Sequence, residues 1–269
     1  MTKILRPVTV ITGASAGIGA ALARVFAHHG HELVLVARRA DRLNALADEI
    51  AASGQPKPLT IAVDLQWPGA ADEMAKAFGA HGVEPQFMVN NAGFGLAGLA
   101  GCRGHDAELA MIDVNVRVLT ELSLAFIDSL TRHRGGLLNV GSLAGFLPGP
   151  GMAVYYASKG YVLSLTEALH SELKARGVRV TVLCPGPVAT EFAEVAGLAG
   201  WRPSKWLSRT PEQVAETAYR GLMRGKRAVV PGLGNKLLAF FVPLVPHRIL
   251  LVLVDLRQSR RLRRSAPVT

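Results

Sequence analysis

"VTVITGASAGIGAALARVFA", residues 8–27, is the stretch that decides the fold. It begins with a short apolar run, continues through a turn that contains Gly13, Gly17 and Gly19, and ends in a helical pattern. A continuous apolar run of this length is typical of a strand that is covered on both faces. The stretch therefore predicts a strand that passes through a glycine turn directly into a helix.

The three glycines have different predicted tasks in this turn. Gly13 allows the tight turn, Gly17 lets the backbone approach a pyrophosphate, and Gly19 permits close packing of helix against strand. The helix N-terminus then offers free N–H groups and a positive dipole end to the phosphates. The spacing is G-x-x-x-G-x-G rather than the general G-x-G-x-x-G, but the strand–turn–helix context favours nucleotide binding. A turn that is rich in glycine for steric reasons alone is the alternative.

Short apolar runs, which we expect to be strands covered on both faces, alternate with longer helical patterns along the rest of the chain. Repeated β–α units with right-handed crossovers form a parallel sheet. We therefore predict an α/β domain over residues 1–235, with a Rossmann-like, doubly wound parallel sheet of about seven strands and helices on both faces. The predicted strands are VTVIT from Val8, ELVLVA from Glu32, LTIAVD from Leu59, QFMVNNAG from Gln86, GLLNVGS from Gly136, VRVTVLCPG from Val178 and AVVPG from Ala228, and the predicted helices span 17–29, 41–53, 69–81, 106–132, 153–176 and 211–224.

Composition and charge limit the class of protein. A hydrophobic fraction of 49% excludes bulk disorder. The net charge is +10, and residues 257–264 supply five arginines without an acid. A solvated end is the first interpretation of that run, and contact with anionic lipid or nucleic acid is the alternative. Only two cysteines, Cys102 and Cys184, and no signal-peptide pattern lead us to expect a reducing, cytoplasmic location.

Two arginines follow the second predicted strand, Arg38 and Arg39. In dinucleotide-binding folds, an acidic residue at this place binds the ribose 2′-hydroxyl. An acid would repel a 2′-phosphate, whereas a guanidinium binds it through charge-assisted hydrogen bonds. The pair therefore predicts NADP(H) rather than NAD(H) as the cofactor, with a solvated helix start as the alternative.

The stretch "AVYYASKGYVLSLTEALHSEL", from Ala153, places two tyrosines within one helical turn of a lysine. Tyr155 is four residues before Lys159 and Tyr156 is three before it, so either tyrosine can share a helix face with the lysine. A free tyrosine has a pKa of about 10, and a nearby ammonium lowers it. The pattern indicates a general acid/base for alcohol and ketone chemistry, with a tyrosine beside a surface lysine as the alternative.

Polar motifs at the ends of other predicted strands favour the catalytic interpretation. Ser142 in "NVGSLAG" can hydrogen-bond a developing oxyanion, and "NNAG" from Asn90 and "CPGPVAT" from Cys184 end two further strands. In their order along residues 6–232, these motifs resemble the short-chain dehydrogenase/reductase family in its common, NADP-preferring form. The set comprises TGASAGIG, NNAG, a lone asparagine in the next helix, a serine, YYASK, and PG with a threonine downstream.

The resemblance implies hydride transfer between nicotinamide and a carbonyl or alcohol carbon, without a metal. It makes Tyr155 the proton donor or acceptor, while Lys159 lowers the pKa of Tyr155 and holds the nicotinamide ribose. Ser142 positions the substrate oxygen, and Asn115 completes the catalytic set by keeping a water in the proton relay. The implied cofactor contacts besides Tyr155 and Lys159 are Gly13, Ser15, Gly17, Ile18 and Gly19 in the turn, Arg38 and Arg39 at the 2′-phosphate, Asp64 and Leu65 at adenine, Asn91, Ala92 and Gly93 at the adenosine ribose, and Pro185, Gly186, Val188 and Thr190 at the nicotinamide.

Residues 186–210 form a long loop with apolar side chains. This indicates a lid over a hydrophobic small-molecule substrate, with packing against the body or a partner subunit as the alternative. We expect a 3-oxoacyl or steroid-like ketone, and a small aldehyde stays open. An NADP(H)-binding sensor or scaffold with little turnover is the second hypothesis, against which the intact serine, tyrosine and lysine count. Nucleic acid is not an expected partner, because the sequence contains no recognised module.

Residues 236–269 form a hydrophobic and then arginine-rich C-terminal extension. Two prolines, a histidine and an arginine interrupt its apolar run, which is too broken for a membrane-spanning helix. Apolar residues on every side of the run need cover. We rank an oligomer interface or a substrate-pocket role first and peripheral membrane contact second. The family resemblance implies a homodimer or homotetramer.

Overall fold

The computed structural model describes residues 5–99, 104–198, 206–246 and 248–256. Within these ranges, seven parallel strands form one sheet in the order β3-β2-β1-β4-β5-β6-β7. The order confirms the predicted doubly wound sheet. The strands are β1 (Arg6–Thr12), β2 (Leu33–Ala37), β3 (Leu59–Ala62), β4 (Val83–Asn90), β5 (Gly136–Val140), β6 (Arg179–Leu183) and β7 (Ala228–Val229).

Two apolar cores pack helices against opposite faces of this sheet. Side chains of β1 alternate between the cores, so Ile11 lies in one and Val10 in the other. The first core contains residues of α1, α2 and α9, and the second contains residues of α3, α5 and α7. The helices are α1 (Gly17–His28), α2 (Ala40–Ala52), α3 (Ala70–His81), α4 (His105–Ile112), α5 (Leu119–Ala125), α6 (Ile127–Arg132), α7 (Ala153–Lys174), α8 (Phe192–Val195), α9 (Pro211–Met223) and α10 (Leu233–Phe241).

Three expectations about individual elements were wrong. The predicted helix over 106–132 is divided, because a π-helical segment, Asp113–Val118, separates α4 from α5, and α6 follows a break at Phe126. β4 begins at Val83, before the predicted start at Gln86. β3 lies at the edge of the sheet and is only partly buried, so its apolar run does not have cover on both faces.

The order of the strands places the binding crevice. β1 lies between β2 and β4, so the chain winds away from β1 in both directions. In such sheets, ligands bind beyond the carboxyl ends of the strands at the point where the winding reverses. The glycine turn after β1 and the NNAG loop after β4 meet at this point.

The C-terminal part forms short helices with exposed apolar side chains. α10 runs across the predicted division between residues 235 and 236, a 3₁₀ turn spans Val242–Leu244, and residues 248–256 are helical. In the part of the chain that the structure describes, no helix has both the length and the apolar character needed to cross a bilayer. The arginine run lies outside the described residues. The exposed large apolar side chains of this part, termed the C-terminal apolar surface, are Leu233, Leu237, Leu238, Phe240, Phe241, Leu244, Ile249, Leu251, Val252, Leu253 and Leu256.

Candidate active site

The glycine turn after β1 has little room for side chains. Gly13 has a φ of 65° and Gly17 a φ of 56°, which is the left-handed region that favours glycine. A Cβ on Gly19 would lie 2.3 Å from the carbonyl oxygen of Gly13, so α1 packs tightly against the turn. The sequence-based roles of Gly13 and Gly19 agree with this geometry, and Gly17 lies beneath Thr190, whose Cγ2 is 3.0 Å from the position of a Cβ.

Thr12 joins the glycine turn to the NNAG loop. Its Oγ1 accepts hydrogen bonds from the backbone N–H groups of Asn91 and Ala92, both at 3.1 Å. In return, Asn91 Nδ2 donates to the carbonyl oxygens of Thr12 and Gly13, at 2.9 and 3.2 Å. The side chain of Asn91, which the resemblance assigns to the adenosine ribose, is therefore bonded to the glycine turn. The sequence analysis did not identify Thr12, although its place directly before the first glycine was a signal.

A cluster of charged groups borders the glycine turn on the side of β2. Arg39 directs Nε and Nη2 at Ser15 Oγ, at 3.3 and 3.1 Å, and its Nη1 donates to Glu191 Oε2 at 2.9 Å. Arg42 also donates to Glu191. Arg38 is largely exposed and lies 4.0 Å from Asp64, the residue that the resemblance places at adenine. The cluster brings the predicted Ser15, Arg38 and Arg39 to one edge of the turn.

Tyr155 and Lys159 lie one turn apart in α7, and both are buried. Lys159 Nζ lies 5.9 Å from the centroid of the Tyr155 ring and donates to the carbonyl oxygen of Val140 at 2.9 Å. The hydroxyl of Ser142, just beyond β5, is hydrogen-bonded to that of Tyr155. The same Ser142 oxygen accepts from the backbone N–H of Ala144 at 3.1 Å, which holds it in place. The structure thus unites three of the four predicted catalytic side chains.

Burial shifts the two ionisable groups in opposite directions. It raises the pKa of Tyr155 to about 12, although the hydrogen bond from Ser142 opposes the shift. It lowers the pKa of Lys159 to about 8. The pKa of Tyr155 is thus raised in this structure, because the loss of solvent around the phenolate outweighs the hydrogen bond. That Lys159 lowers this pKa stays a prediction. At neutral pH the tyrosine is a neutral phenol with a proton to give.

Asn115, the fourth predicted catalytic residue, lies fully buried in the π-helical segment. Its Oδ1 accepts from the backbone N–H of Phe94 at 3.1 Å, and its Nδ2 donates to the Phe94 carbonyl at 2.9 Å and to Ser158 Oγ at 3.1 Å. A π turn changes the backbone hydrogen bonding of a helix and often marks a functional site. The amide of Asn115 is thus committed to the loop after β4 and to Ser158, and its role in holding a water stays a prediction.

A buried polar network beneath the site was missed by the sequence analysis. Asn90 Nδ2 donates to Asn139 Oδ1 at 2.9 Å and to Ser123 Oγ at 3.0 Å, and Asn139 Nδ2 donates to Thr166 Oγ1 at 3.0 Å. Asn90 and Asn139 are opposite each other on β4 and β5. The network ties α5 and α7 to the two strands whose ends carry the NNAG loop and Ser142.

The predicted nicotinamide side lies beyond β6. Val188 pairs with Arg209 in an isolated bridge. A Cβ on Gly186 would lie 2.5 Å from Nδ2 of Asn235. Asn235 is itself buried and donates to the carbonyl oxygens of Leu207 and Pro231, at 3.0 and 2.8 Å. Asn235 anchors α10 to this turn, and nothing in the local sequence marked it.

An apolar wall surrounds the phenol of Tyr155. Tyr155 packs with Met111 and Ala144 in a small core, and the Phe192 ring lies 5.3 Å from the Tyr155 ring. Partly buried side chains extend this core. They are Phe94, Leu96, Met152, Val154, Tyr156 and Phe192.

Three loops are joined over this wall by main-chain hydrogen bonds. Ala97 N donates to the carbonyl of Ala196 at 2.9 Å, and Gly98 N donates to the carbonyl of Gly151 at 2.8 Å. The segment of residues 190–198, termed the strap, therefore packs beside the apolar wall, and its role as a lid stays a prediction. Residues 199–205 of the predicted lid, including Trp201, are outside the described residues.

Comparison with known proteins agrees with this site. The chain matches the family model "short chain dehydrogenase" over residues 7–199. It is 37% identical over 223 residues to sulfoacetaldehyde reductase 2 of Chromohalobacter salexigens, which covers 78% of this chain and 85% of the relative. A short-chain dehydrogenase from Sphingobium yanoikuyae in complex with NADPH superposes with a TM-score of 0.77 at 31% identity, over 85% of this chain and 89% of that one. A 7β-hydroxysteroid dehydrogenase superposes with a TM-score of 0.82 at 26% identity, over 94% and 98%.

The fold, the site and these matches define an oxidoreductase of the Rossmann-like class. The chain belongs to the short-chain dehydrogenase family. The predictions of family, fold class and enzyme class are confirmed. The neighbour that holds NADPH agrees with the predicted cofactor.

Proposed function

We propose that this protein is an NADP(H)-dependent oxidoreductase that interconverts a carbonyl and an alcohol on a lipophilic molecule. The observation that carries the proposal is the buried Tyr155, hydrogen-bonded to Ser142, one helical turn from Lys159 and beside the crevice at the end of β1 and β4. NADPH, when bound, supplies the hydride. The protein supplies the proton, the orientation and a site from which water is excluded.

The residues that face the crevice fit this cofactor. Gly13 and Gly17 carry no side chain that would obstruct a pyrophosphate, and α1 presents its N-terminal N–H groups there. The guanidinium groups of Arg38 and Arg39 match a 2′-phosphate in charge and geometry. Asp64, Leu65 and residues 91–93 would hold the adenosine, and residues 185–190 the nicotinamide.

The proton step follows from the pKa values. In the reducing direction, the neutral phenol of Tyr155 donates its proton to the carbonyl oxygen as negative charge develops there. Ser142 Oγ holds that oxygen by a second hydrogen bond. The ammonium of Lys159, buried beside the ring, stabilises the phenolate that Tyr155 becomes.

The apolar wall supports a lipophilic substrate. The side chains around the phenol are apolar and include Met111, Phe94, Met152 and Phe192. The hydroxyl groups of Tyr155 and Ser142 are the polar groups that face a substrate beside this wall. An apolar pocket with few polar groups binds a ligand by burial and orients it by those few groups. We favour a 3-oxoacyl or steroid-like ketone. A small aldehyde is the competing class, because one relative is named a sulfoacetaldehyde reductase.

The test is NADPH consumption with 3-oxoacyl thioesters, steroid-like ketones and small aldehydes. Tyr155→Phe should lower kcat roughly 10²- to 10⁴-fold, because it removes the proton donor and keeps the ring. Tyr156→Phe is the matched control and should turn over near the wild-type rate. Full activity in Tyr155→Phe would overturn the assignment. Tight NADPH binding without turnover on any substrate would support a sensor or scaffold instead.

Assembly and location extend the proposal. Leu109, Ile112 and Leu124 on α4 and α5 are exposed, and we propose that these helices join copies of the chain into a homodimer or homotetramer. Light scattering in solution measures this assembly.

We further propose that the protein works in the cytoplasm with its C-terminal apolar surface against anionic lipid. The apolar side chains and the five arginines that follow them suit such a surface.

A further inference from the structure

Glu191 takes no part in the proton chemistry, yet it is held by two arginines. Its Oε2 accepts from Arg39 Nη1 at 2.9 Å, and its Oε1 accepts from Arg42. The hydrogen bonds from Arg42 and Arg39 keep the pKa of this carboxyl below its usual range. The carboxylate is therefore charged at neutral pH, and it lies against Arg39, to which the proposed function assigns the 2′-phosphate.

The neighbouring charges are already paired elsewhere. Arg24 forms a two-pronged ion pair with Glu49, with distances of 2.6 and 2.8 Å. Arg38 lies 4.0 Å from Asp64. A surface cleft beside the glycine turn is lined by groups that include Ser15, Arg24, Arg42 and Glu49. Glu191 thus stands at the one place in this described cluster where two guanidinium groups share a single acid.

The position of Glu191 in the strap connects this cluster to the catalytic tyrosine. The preceding Thr190 lies over Gly17, and the following Phe192 packs on the ring of Tyr155. The strap is also tied down by the hydrogen bond from Ala97 N to Ala196 O. Glu191 therefore lies in a segment that contacts both the cofactor turn and the apolar wall.

We propose that Glu191 occupies the arginine donors that a 2′-phosphate takes, so that NADP(H) binding displaces it from Arg39 and releases the strap. This inference rests on the proposed function, since it assigns the 2′-phosphate to Arg39. Glu191 then acts as a specificity-determining residue that lowers the affinity for the phosphorylated cofactor and links its arrival to the lid.

The physical basis is competition between two anions. A 2′-phosphate carries up to two negative charges and three acceptor oxygens, whereas the carboxylate carries one charge and two oxygens. The side chains of Arg39, Arg42 and Glu191 are each between 41% and 46% exposed, so solvent weakens their pairs. A phosphate beside Ser15 and Arg39 would repel a carboxylate that stayed in contact with the same guanidinium. The carboxylate of Glu191 is therefore the weaker partner of Arg39, and the phosphate displaces it.

The experiment compares 2′,5′-ADP with 5′-AMP by titration calorimetry, because these probes differ only in the 2′-phosphate and lack nicotinamide. Glu191→Gln should bind 2′,5′-ADP about threefold to tenfold more tightly than the wild type, the effect of removing half-exposed ion pairs. Its affinity for 5′-AMP should not change. Glu194→Gln, at an exposed acid within α8, is the control and should match the wild type for both probes.

Hydrogen exchange of the strap provides the second readout. In the wild type, 2′,5′-ADP should speed exchange in residues 190–198 relative to 5′-AMP, while Glu191→Gln should exchange fast with either probe. Unchanged or weaker binding of 2′,5′-ADP by Glu191→Gln would overturn the proposal and make Glu191 a positioning residue for Arg39. A wild type that binds both probes equally would overturn the 2′-phosphate assignment itself, and this inference with it.

Discussion

Tyr155 and Lys159 illustrate how burial at the scale of single residues sets chemical roles. The phenol is pushed toward its protonated form and the amine toward its neutral form, with pKa values of about 12 and about 8. The lysine is still mostly charged at neutral pH. α7 therefore contains a buried cation that is hydrogen-bonded to a neutral carbonyl, that of Val140. That cation is needed when the phenol gives up its proton, but it opposes folding at all other times.

Lys159→Met should therefore make the protein more stable and inactive. Methionine fills a similar volume without the charge, and the buried ammonium costs up to about 3 kcal/mol by its pKa shift. Loss of the hydrogen bond to the Val140 carbonyl offsets part of this benefit. We therefore expect the free energy of unfolding, measured by urea titration at pH 7, to increase by about 1–2 kcal/mol.

The pH dependence of that gain has a definite sign. Below pH 8 the lysine is protonated in both the folded and unfolded states, and the full cost applies. Between pH 8 and 10.5 the folded state releases its proton first, so wild-type stability rises with pH through this group and the advantage of Lys159→Met shrinks. An advantage that grows toward pH 10 would contradict the assignment of a buried cation.

Whether the role of a residue could be predicted depends on how far away its partner lies along the chain. Tyr155 and Lys159 share a helix face, so their spacing alone indicated a pair. Thr12 and Glu191 find their partners far away in sequence, on β4's loop and beside α2. No local pattern contains that information, and the packing of the sheet alone creates those contacts.

At the scale of elements, periodic patterns predicted all seven strands but not the interruption of the long helix after β4. The π-helical segment adds a residue to one turn without changing the apolar character of the sequence. It coincides with Asn115, whose amide is tied to Phe94 and Ser158 on other elements. The interruption thus coincides with hydrogen bonds between separate elements, and the pattern of apolar residues contains no signal for those bonds.

α10 depends on one buried side chain, so Asn235→Ala should loosen it. The carbonyl oxygens of Leu207 and Pro231 would lose their donors, at a cost of about 1–3 kcal/mol in the free energy of unfolding. Urea denaturation measures this loss, and hydrogen exchange should rise in residues 233–241. Asn44→Ala, on the exposed face of α2, is the control and should change stability little. Equal stability of both variants would show that Asn235 does not anchor the helix.

Among the residues that the structure describes, most of the large exposed apolar side chains lie in the C-terminal part. The C-terminal apolar surface precedes a run of five arginines in a chain of net charge +10. Anionic lipid would attract both the positive charge of that run and the apolar side chains. This complementarity supports the lipid contact that we propose.

The full chain should sediment with vesicles that contain phosphatidylglycerol and not with pure phosphatidylcholine vesicles. Binding should fall at high salt, because each basic residue near an anionic surface contributes about 1 kcal/mol. Replacing both Phe240 and Phe241 with Asp should reduce it strongly, whereas Trp67→Asp, at a residue exposed to a similar degree elsewhere, should not. Equal binding to both kinds of vesicle, or to neither, would contradict the lipid assignment.

The two main-chain hydrogen bonds over the apolar wall have a consequence for evolution. They join loops from three distant parts of the chain, around Ala97, Gly151 and Ala196, whereas the proton donor and its partners lie on β5's end and α7. Because backbone groups make the joints, side chains in the loops are free to vary while the joints persist. Duplicated copies of such a gene can drift toward new substrates one loop at a time without disturbing proton transfer. The residues of proton transfer can therefore stay constant while the loops that determine substrate specificity change.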